Sequence, residues 1–482
     1  MEAWQQVLGD SNILWPGTQL HELLQNTTAY TAPEVVGLLI PENESQLRQI
    51  LEIANTHRTP VYPYSKGLNW GLGSKLPPAP GCALVDLSRL NRILEINTQF
   101  HYAIVEPGVT QKDLADALES RNLPLMLNVT GSAPQTSVLA NMLERGSGFL
   151  EHRINDLRGI EVMLADGSMI RSGFWHLEES KREIHHFPFG LGADWRGLFS
   201  QSNLGVVTKA VVNLYPKKEM QKMIWCKLHQ NQVGAFVEKI ADLYQRGYIH
   251  SATHIGNNKR MKIEHQNQEA ETIWTAMAMV QGSARYIGFL EEEIPAHLAA
   301  HCDSMGFLTG QEAEAQGIGP VFGCHTGKPT DYFVRAMYQS EGALLDRDDL
   351  QIDLGRYGML CCLPILPAKA EDVEGAIQIL DSIDRDFGII PAATLNPLND
   401  LYLESVINIY FDRTDPAAIK LAHEANAEMH RRFYADGYRF YRFDVETKKQ
   451  YIQANNTHFA FVSRLKEALD PSRILSPGRY EA

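Results

Sequence analysis

The stretch that most constrains the fold of this chain is residues 61–73, VYPYSKGLNWGLG, in which an apolar strand-like run breaks into a glycine-rich loop. Glycine adopts positive φ and lets the backbone approach a ligand closely, so Gly67, Gly71 and Gly73 suit a turn whose N–H groups face a phosphate or diphosphate. The loop has neither the G-x-G-x-x-G spacing of the common dinucleotide fold nor the Gly-Lys-Ser/Thr ending of a P-loop. The sequence therefore indicates a different diphosphate-binding fold, although such a loop taken alone is more often only a turn.

Composition narrows the class of protein. The chain has 482 residues, a hydrophobic content of 44% and a formal net charge of −14. This length allows two or three domains with their own cores, and the acidity argues against a nucleic-acid or anionic-membrane partner. The N-terminus lacks a basic region followed by an apolar one, and no apolar run is long enough to span a bilayer. We expect a cytoplasmic protein without a membrane partner.

Cysteine and histidine give no sign of a metal site or a disulfide framework. The six cysteines are scattered apart from Cys361 and Cys362, and none lies in a C-x-x-C pattern. Buried reduced thiols are the simpler interpretation. The 17 histidines include no H-E-x-x-H or comparable ligand spacing. The sequence therefore predicts no bound metal.

Hydrophobic periodicity predicts alternating helices and strands. A helical pattern over residues 42–57 leads into a strand at 61–64, strands follow at 82–86, 93–96 and 102–105, and a helix covers 111–120. Residues 160–171 read as a β-hairpin with a type I′ turn at Asp166-Gly167. The pattern is that of an α+β or α/β protein.

The pattern changes near Tyr215-Pro216, where the charged run KKEMQK follows. This break predicts a domain boundary between residues 216 and 217. The section 217–435 has strands of its own at 357–366 and 406–411 and helices at 370–387 and 416–434, which is enough for a separate core.

Several blocks of the chain carry a resemblance. They are CALVDLSRLNRILEINTQFHYAIVEPGVTQKDLADALESRNLPL, TSVLANMLERG, LRGIEVMLADGSMIRSG and FPFGLGADWRGLFSQSNLGVVTKAVVNLYP, with GYRFYR and LKEALDPSRILSPGRY near the end. In this order they resemble the vanillyl-alcohol oxidase and p-cresol methylhydroxylase family of flavoproteins, and within it the branch that oxidises para-substituted phenols. The resemblance implies an α+β fold: an FAD-binding domain of two subdomains at 1–216, an inserted cap at 217–435, and a return to the FAD-binding domain at 436–482.

The resemblance also implies which residues bind FAD. The diphosphate is expected on the loop of Ser65, Lys66, Gly67, Leu68, Asn69 and Gly71. A second contact is expected from residues 131–145 through Ser132, Ser137 and Asn141, although Ser137 suits an N-cap as well. A third is expected from the strand backbone at Ile160 and Val162.

Three residues are expected at the reaction centre. Tyr441 and Arg442 match an adjacent pair in which the arginine lies beside the flavin pyrimidine ring and the tyrosine faces a phenolic oxygen. A fixed guanidinium lowers the cost of negative charge on the reduced flavin. Arg479 matches an arginine that helps to hold a phenolate, and the alternative for it is a solvated surface side chain. Cys361, Cys362 and residues 363–367 are expected to line the cap side of the pocket.

The chain departs from the family at three points. Trp70 stands where the branch has a tyrosine of the phenolate site, and indole donates a hydrogen bond but has no acid function. Ser132 stands where vanillyl-alcohol oxidase has an aspartate, and serine is not a general base. No histidine lies in residues 399–411 or 65–73, so non-covalent FAD is expected, with Tyr402 as an alternative point of covalent attachment.

The resemblance implies an oxidoreductase that removes a hydride from an activated benzylic or alcohol carbon of a small aromatic or specialised-metabolite substrate and delivers it to flavin N5. An oxidase or dehydrogenase of hydroxy acids or sugars is the alternative within the same fold, and a flavin-binding protein without turnover is a second. The electron acceptor is open among dioxygen, a cytochrome and a quinone. A homodimer is expected from the same branch.

Overall fold

The computed structural model describes residues 2–177, 182–260, 272–335, 351–452 and 456–481. It mixes helices and sheets, which confirms the predicted α+β class. The α-helices of the first 216 residues are Glu2–Leu8, Thr18–Leu23, Glu44–His57, Gln111–Ser120 and Val138–Leu143. Those that follow are Val233–Gln245, Ala284–Leu298, Gly310–Ala315, Gly319–His325, Tyr332–Arg335, Ala370–Phe387, Pro416–Ala435 and Thr457–Leu469.

A four-stranded sheet carries the glycine-rich loop. Its strands lie in the order β1-β2-β4-β3, with β2, β4 and β3 parallel and β1 antiparallel: β1 Ile13–Leu14, β2 Val35–Leu39, β3 Val61–Tyr64 and β4 Cys82–Asp86. The helix Glu44–His57 connects β2 to β3 and buries the apolar face predicted for it. It begins two residues later than predicted because the Asn43 side chain accepts a hydrogen bond from Gln46 N at 3.0 Å and caps it. The loop therefore leaves the end of a parallel strand.

A five-stranded antiparallel sheet packs beside it in the order β5-β6-β10-β8-β9: β5 Ile93–Asn97, β6 Tyr102–Val105, β8 Leu157–Met163, β9 Met169–Arg171 and β10 Val206–Asn213. The predicted hairpin is β8 and β9, but its turn is not type I′. Gly167 has φ +81°, whereas Asp166 keeps an ordinary negative φ. Gly167 N bonds to Leu164 O at 3.0 Å and Leu164 N to Ser168 O at 2.9 Å, which is a three-residue loop with one left-handed glycine.

The cap is built on a sheet of nine strands. These are β12 Met220–His229, β13 His254–Asn257, β14 Ile273–Gly282, β15 Ser304–Leu308, β16 Tyr357–Cys362, β17 Pro364–Pro367, β18 Ala392–Pro397, β19 Tyr402–Asp412 and β20 Arg439–Phe440. Four helices pack on this sheet through Phe236, Ile287, Val373 and Ala422, all of them fully or almost fully buried. The cap thus has its own hydrophobic core.

The chain passes from the five-stranded sheet to the nine-stranded sheet between residues 213 and 220. The last strand of the five-stranded sheet ends at Asn213 and the first cap strand begins at Met220, while β11 Tyr215–Pro216 between them pairs with β7 Leu125–Met126. The cap sheet extends past the predicted boundary at residue 435. Gly437, with φ +94°, turns the chain after a helix so that β20 adds to β17.

The C-terminal segment then returns to the first sheet. Val61 N donates to Ile474 O at 2.7 Å, and Ser476 N donates to Val61 O at 2.8 Å, so residues 474–476 run beside β3. The end of the chain is thereby fixed next to the start of the glycine-rich loop.

Candidate functional site

A cavity of about 690 Å³ is lined by residues of the four-stranded sheet, the five-stranded sheet and the cap. We call the lining residues between Tyr62 and Val207, together with those from Tyr441 to Arg479, the loop wall, and the lining residues between His254 and Tyr410 the cap wall. Twelve of the residues predicted for the site line this cavity: Ser65, Lys66, Gly67, Leu68, Asn69, Trp70, Ser132, Ser137, Asn141, Tyr441, Arg442 and Arg479. Four predicted residues do not line it: Gly71, Ile160, Val162 and Tyr402.

The glycine-rich loop owes its shape to close contacts on both sides. Gly67 has φ +68°, and a Cβ built there would meet Lys75 Cγ at 2.4 Å. Gly71 has φ +72°, and a Cβ there would meet Cys361 Sγ at 2.3 Å. Gly71 N donates to Thr27 Oγ1 at 2.8 Å, so this N–H faces an N-terminal segment and not the cavity. Gly71 therefore has a packing role, because a side chain there would separate the loop from the cap, and its ligand contact stays a prediction.

Thr27 belongs to a segment that joins the loop to the cap. Thr27 N donates to Asp353 Oδ1 at 3.0 Å, and Ser74 Oγ donates to the same oxygen at 2.6 Å. Met359 N donates to Thr27 O at 2.8 Å. The Asp353 carboxylate thus ties the N-terminal segment, the loop and the cap together, and no sequence motif marked it.

The second predicted segment has both a structural and a lining role. Ser137 caps the helix Val138–Leu143 by accepting from Ala140 N at 3.1 Å, and it donates to Pro107 O at 2.6 Å. The N-cap alternative for Ser137 is therefore present together with its place in the wall. Ser132 Oγ lies 2.6 Å from Thr136 Oγ1, and Asn141 Oδ1 is buried without a hydrogen-bond partner among the described residues.

Ile160 and Val162 are placed in the middle of the five-stranded sheet. Ile160 N donates to Ser172 Oγ at 2.9 Å and Ile160 O accepts from Ser172 N at 3.0 Å. Val162 is paired with Val207 on one side and Ile170 on the other. Ladder and side-chain bonds thus already engage the backbone of these two residues, and their ligand contact stays a prediction.

Tyr402 begins β19, whereas the cap wall takes Val406, Asn408 and Tyr410 from the farther half of the same strand. Alternate residues share a face, and four residues of strand separate positions by roughly 13 Å. Tyr402 therefore shares the face of these residues but lies outside the described lining. Of the predicted cap residues, Cys361 and Leu363 reach the wall, while Cys362 points into the cap core.

Tyr441 and Arg442 enter the cavity directly after β20. Tyr441 N donates to Leu363 O at 3.2 Å, and Tyr441 O accepts from Gln201 Nε2 at 2.7 Å, so backbone contacts on two sides fix this turn. The Arg442 guanidinium donates from Nη2 to Asn69 Oδ1 at 2.6 Å. Its Nε is buried and has no hydrogen-bond partner among the described residues. The arginine is therefore held by the glycine-rich loop and keeps a donor for a bound molecule.

Arg479 is also in the wall, and it is already bound to a carboxylate that the sequence did not indicate. Its Nη2 donates to Glu144 Oε1 at 3.0 Å and to Tyr480 OH at 3.1 Å, and its Nη1 donates to Tyr62 OH at 3.4 Å. Tyr480 OH donates to Glu144 Oε2. Burial by itself would raise the pKa of Glu144, but Arg479, Arg442 and the Tyr480 hydrogen bond outweigh it and hold that pKa below its ordinary value.

The cap wall is polar but uncharged. Asn408 Oδ1 accepts from Cys361 Sγ at 3.2 Å, and Asn408 Nδ2 donates to Tyr410 OH at 3.2 Å. His254 Nδ1 lies 2.7 Å from Asn396 Oδ1. Among the described residues of the cap wall there is no Lys, Arg, Asp or Glu. Alternation along β19 is the one sequence signal for these residues, and it does not reveal which face meets a cavity.

The loop wall fits FAD by its unsatisfied donors and acceptors. Buried polar atoms require partners, and five such atoms in this wall have none among the described residues. They are Trp70 Nε1, Asn141 Oδ1, Ser147 Oγ, Asn203 Oδ1 and Arg442 Nε. Glycine loops, hydroxyls, amides and a guanidinium are groups that suit a diphosphate, a ribityl chain and a flavin ring. The residues present therefore fit the cofactor that the resemblance implies.

The described ranges lack a metal-binding cluster and a membrane-spanning helix. No group of three or more His, Cys, Asp and Glu side chains in that part of the chain is placed to hold a metal ion. None of the described helices combines the length and the apolar character that a membrane span needs.

Comparison with known proteins agrees with this geometry. A family described as an FAD binding domain matches residues 36–173. The whole chain is similar to 1'-carboxy-chondrochloren decarboxylase of Chondromyces crocatus, with 27% identity over 100% of this chain and 96% of the relative. It is similar to the flavoprotein subunit of 4-cresol dehydrogenase (hydroxylating) of Pseudomonas putida, with 24% identity over 99% and 94%.

The fold agrees as well. A crystal structure of p-cresol methylhydroxylase with substrate bound superposes with a TM-score of 0.90 at 22% identity, over 99% of this chain and 95% of that one. The FAD domain, the full-length relatives and the fold confirm the resemblance drawn from the motifs. The chain is similar over its whole length to flavoproteins of the vanillyl-alcohol oxidase and p-cresol methylhydroxylase type, and it is an FAD-dependent oxidoreductase.

Proposed function

We propose that this enzyme oxidises an activated benzylic or alcohol carbon of a small aromatic substrate, with para-substituted phenols as its substrate class. One observation carries the proposal: a neutral cluster of apolar and aromatic side chains lines the same cavity as the Arg442 guanidinium. Trp70, Val334 and Ile352 belong to this cluster, and Met359 and Tyr410 pack against them. An aromatic ring gains by burial against such surfaces, and edge or offset contacts with the other rings add to this.

The residues of the loop wall have separate parts in this proposal. FAD, when bound, accepts two electrons from the substrate, and negative charge then develops on its ring system. Arg442 supplies a permanent positive charge already fixed by Asn69, which favours that charge without further reorganisation. Trp70 is 7% exposed, and its buried indole N–H has no partner among the described residues, so it offers a donor to a substrate oxygen.

Two relatives give the substrate class further support. They are the flavoprotein subunit of 4-cresol dehydrogenase, whose name refers to a para-substituted phenol, and 1'-carboxy-chondrochloren decarboxylase. Arg479 is expected to contribute less to phenolate binding than the motif alone implied, because Glu144 already neutralises it. The acceptor and a homodimer stay predictions.

The alternative, a 2-hydroxy acid or sugar acid, requires a cation for its carboxylate at the substrate end of the cavity. The described cap wall contains none, and the three cations of the lining, Lys66, Arg442 and Arg479, all stand on the loop wall. An unpaired carboxylate in such a pocket would pay a desolvation cost of several kcal/mol. The cap wall therefore favours a neutral aromatic substrate.

The test is to mix the FAD-loaded protein with each compound under anaerobic conditions. The loss of flavin absorbance measures how fast the flavin is reduced. We expect para-alkylphenols to reduce the flavin faster than matched para-alkylanisoles, which lack the hydroxyl, and faster than 2-hydroxy acids. Reduction by 2-hydroxy acids but not by phenols would overturn the proposal in favour of the alternative. Flavin that no member of the panel reduces would instead indicate a binding protein without turnover.

A further inference from the structure

An ion pair between Glu144 and Arg479 stands in the loop wall, and the proposed reaction gives Glu144 no part. Glu144 follows directly after the helix Val138–Leu143, and Arg479 comes from the C-terminal segment 335 residues away. Both line the cavity, and their side chains are 27% exposed for Glu144 and 8% exposed for Arg479. Glu144 is the only Asp or Glu among the described lining residues. A charge in the wall of a cofactor cavity changes the energy of adding electrons to the cofactor, and therefore its reduction potential.

The surroundings fix this pair in place. The two oxygens of the Glu144 carboxylate accept from Arg479 and from the Tyr480 hydroxyl. Tyr62 OH accepts a third bond from the guanidinium. A charged pair with several hydrogen bonds is strongly coupled, so the removal of one partner leaves the charge of the other uncompensated.

Glu144 is also adjacent to the Tyr441-Arg442 turn. The Gln201 side chain donates to Glu144 O at 3.3 Å and to Tyr441 O at 2.7 Å, which joins the two backbones. Arg442 contributes to the lowered pKa of Glu144, so the two charges act on each other. The carboxylate and both arginines therefore belong to one electrostatic cluster on the loop wall.

We propose that Glu144 lowers the reduction potential of the bound flavin by cancelling the charge of Arg479, so that only one of the two guanidiniums, that of Arg442, provides uncompensated positive charge. Reduction adds negative charge to the flavin, and each uncompensated cation nearby favours the reduced form. Without Glu144 two guanidiniums would act together. This inference goes beyond the proposed function, because it concerns the cofactor and is independent of the substrate.

The experiment is a redox titration of FAD-loaded variants against a reference dye, without any substrate. Glu144→Gln removes the negative charge and keeps the side-chain shape. A unit charge at roughly 10 Å in an effective dielectric of about 20 is worth about tenfold in an equilibrium. We therefore expect the flavin potential of E144Q to rise by about 30 mV, which is a tenfold change for a two-electron couple.

Two further variants separate charge from structure. The double variant Glu144→Gln with Arg479→Gln removes both charges, so its potential is expected to return to the wild-type value. Glu151→Gln is the matched control, because it makes the same change outside the described lining of the cavity and is expected to leave the potential unchanged. A purely structural role of Glu144 would not predict that a second substitution reverses the effect of the first.

An unchanged potential in FAD-loaded E144Q, or an equal rise in E151Q, would overturn the inference. If E144Q does not retain FAD, the double variant with Glu144→Gln and Arg479→Gln is used to test the inference. Retention of FAD there with a wild-type potential supports charge cancellation, and loss of FAD in both variants overturns it. None of these results depends on whether phenols are substrates, so a failure of this inference is distinct from a failure of the proposed function.

Discussion

The two walls of the cavity are built in different ways. The loop wall uses backbone turns, small polar side chains and all the formal charges of the described lining, namely Lys66, Glu144, Arg442 and Arg479. The cap wall uses neutral side chains that project from the strands of one large sheet, such as Thr275, Asn408 and Tyr410. Backbone turns bind features that FAD has in every member of such a family, whereas projecting side chains change by single substitutions.

This difference indicates how the site divides its tasks. The charged wall is suited to hold the cofactor and to adjust its electronic state, since fixed charges act strongly in a site with little water. The neutral wall is suited to choose the substrate by shape and by a few hydrogen bonds. The walls meet at Gly71, where the loop packs against Cys361, and at Asp353, where the cap contacts Thr27 and Ser74. Substitutions at these two points should therefore disturb the contact between the walls most strongly.

The largest effect is expected from Gly71→Ala. A Cβ at this position would lie 2.3 Å from Cys361 Sγ, and the residue has φ +72°. The left-handed conformation costs about 1–2 kcal/mol for alanine, and overpacking adds about 1–3 kcal/mol. We expect the free energy of unfolding to fall by about 2–5 kcal/mol in denaturant titrations, together with weaker retention of FAD.

Two controls divide this cost between its causes. Gly81→Ala has nearly the same φ, +75°, but nothing lies within 4 Å of its Cβ, so it reports backbone strain alone. Gly71→Ala in a Cys361→Ala background removes the sulfur and should recover the overpacking part only. Equal losses at Gly71 and Gly81 would show that the contact between the walls is unimportant for stability.

The next effect is expected from Asp353→Ala. Asp353 Oδ1 accepts from Thr27 N at 3.0 Å and from Ser74 Oγ at 2.6 Å, and Lys75 Nζ lies 3.9 Å from Oδ2. Alanine would leave two buried donors unpaired, at about 1–3 kcal/mol each before the structure relaxes. We expect a loss of about 2–3 kcal/mol in the free energy of unfolding, and faster release of FAD because Ser74 and Thr27 hold the loop.

Asp353→Asn is the matched variant for this prediction. Its amide oxygen can accept both hydrogen bonds, and it avoids the burial of a charge, which raises the pKa of Asp353 in the native protein. We expect the free energy of unfolding of D353N to lie within about 1 kcal/mol of the wild-type value, because the lost attraction to Lys75 and the relieved desolvation oppose each other. If Asn were as damaging as Ala, the ionic contact and not the hydrogen bonds would join the walls.

The fold was largely predictable because its signals are local. The helix Gln111–Ser120 has the predicted bounds, since Thr110 and Asp113 form a capping box that marks its start. The strands at 61–64, 82–86 and 102–105 also match, because short apolar runs between turn residues mark them. The predicted type of the hairpin turn was wrong. Asp-Gly fits both a type I′ turn and a three-residue loop, and the two differ in the φ of the aspartate.

Of the two walls of the cavity, the sequence predicted mainly residues of the loop wall. Motif residues of the loop wall lie close together in sequence or carry a family resemblance, and most of them line the cavity. Glu144 was missed because its partner is 335 residues away, and Thr27 because its contact with Gly71 spans 44 residues. The cap wall depends on which face of β19 meets the cavity, and strand pairing determines that. Sequence periodicity shows that two faces exist but not which one binds.

The smallest effect is expected from a lysine that stands behind the loop wall. Lys448 is 4% exposed, and its Nζ donates to Gly478 O at 2.5 Å. Burial and then the nearby Arg479 lower the pKa of Lys448 to about 7, against about 10.4 for a lysine in an unfolded chain. Between these values the unfolded chain binds more protons than the folded one. Folded-state stability therefore rises with pH across this window and does not change with this group below it.

Lys448→Met should remove this rise. One proton of difference is worth about 1.4 kcal/mol per pH unit, so from pH 7 to pH 9 wild type should gain about 2 kcal/mol relative to K448M in denaturant titrations. Lys449→Met is the matched control, because Lys449 is half exposed and pairs with Glu446 at the surface, and it should keep the wild-type slope. A K448M slope equal to that of wild type would show that this lysine is charged when buried. The loop wall would then have a further cation behind it, and its difference from the cap wall would be larger than the lining residues alone indicate.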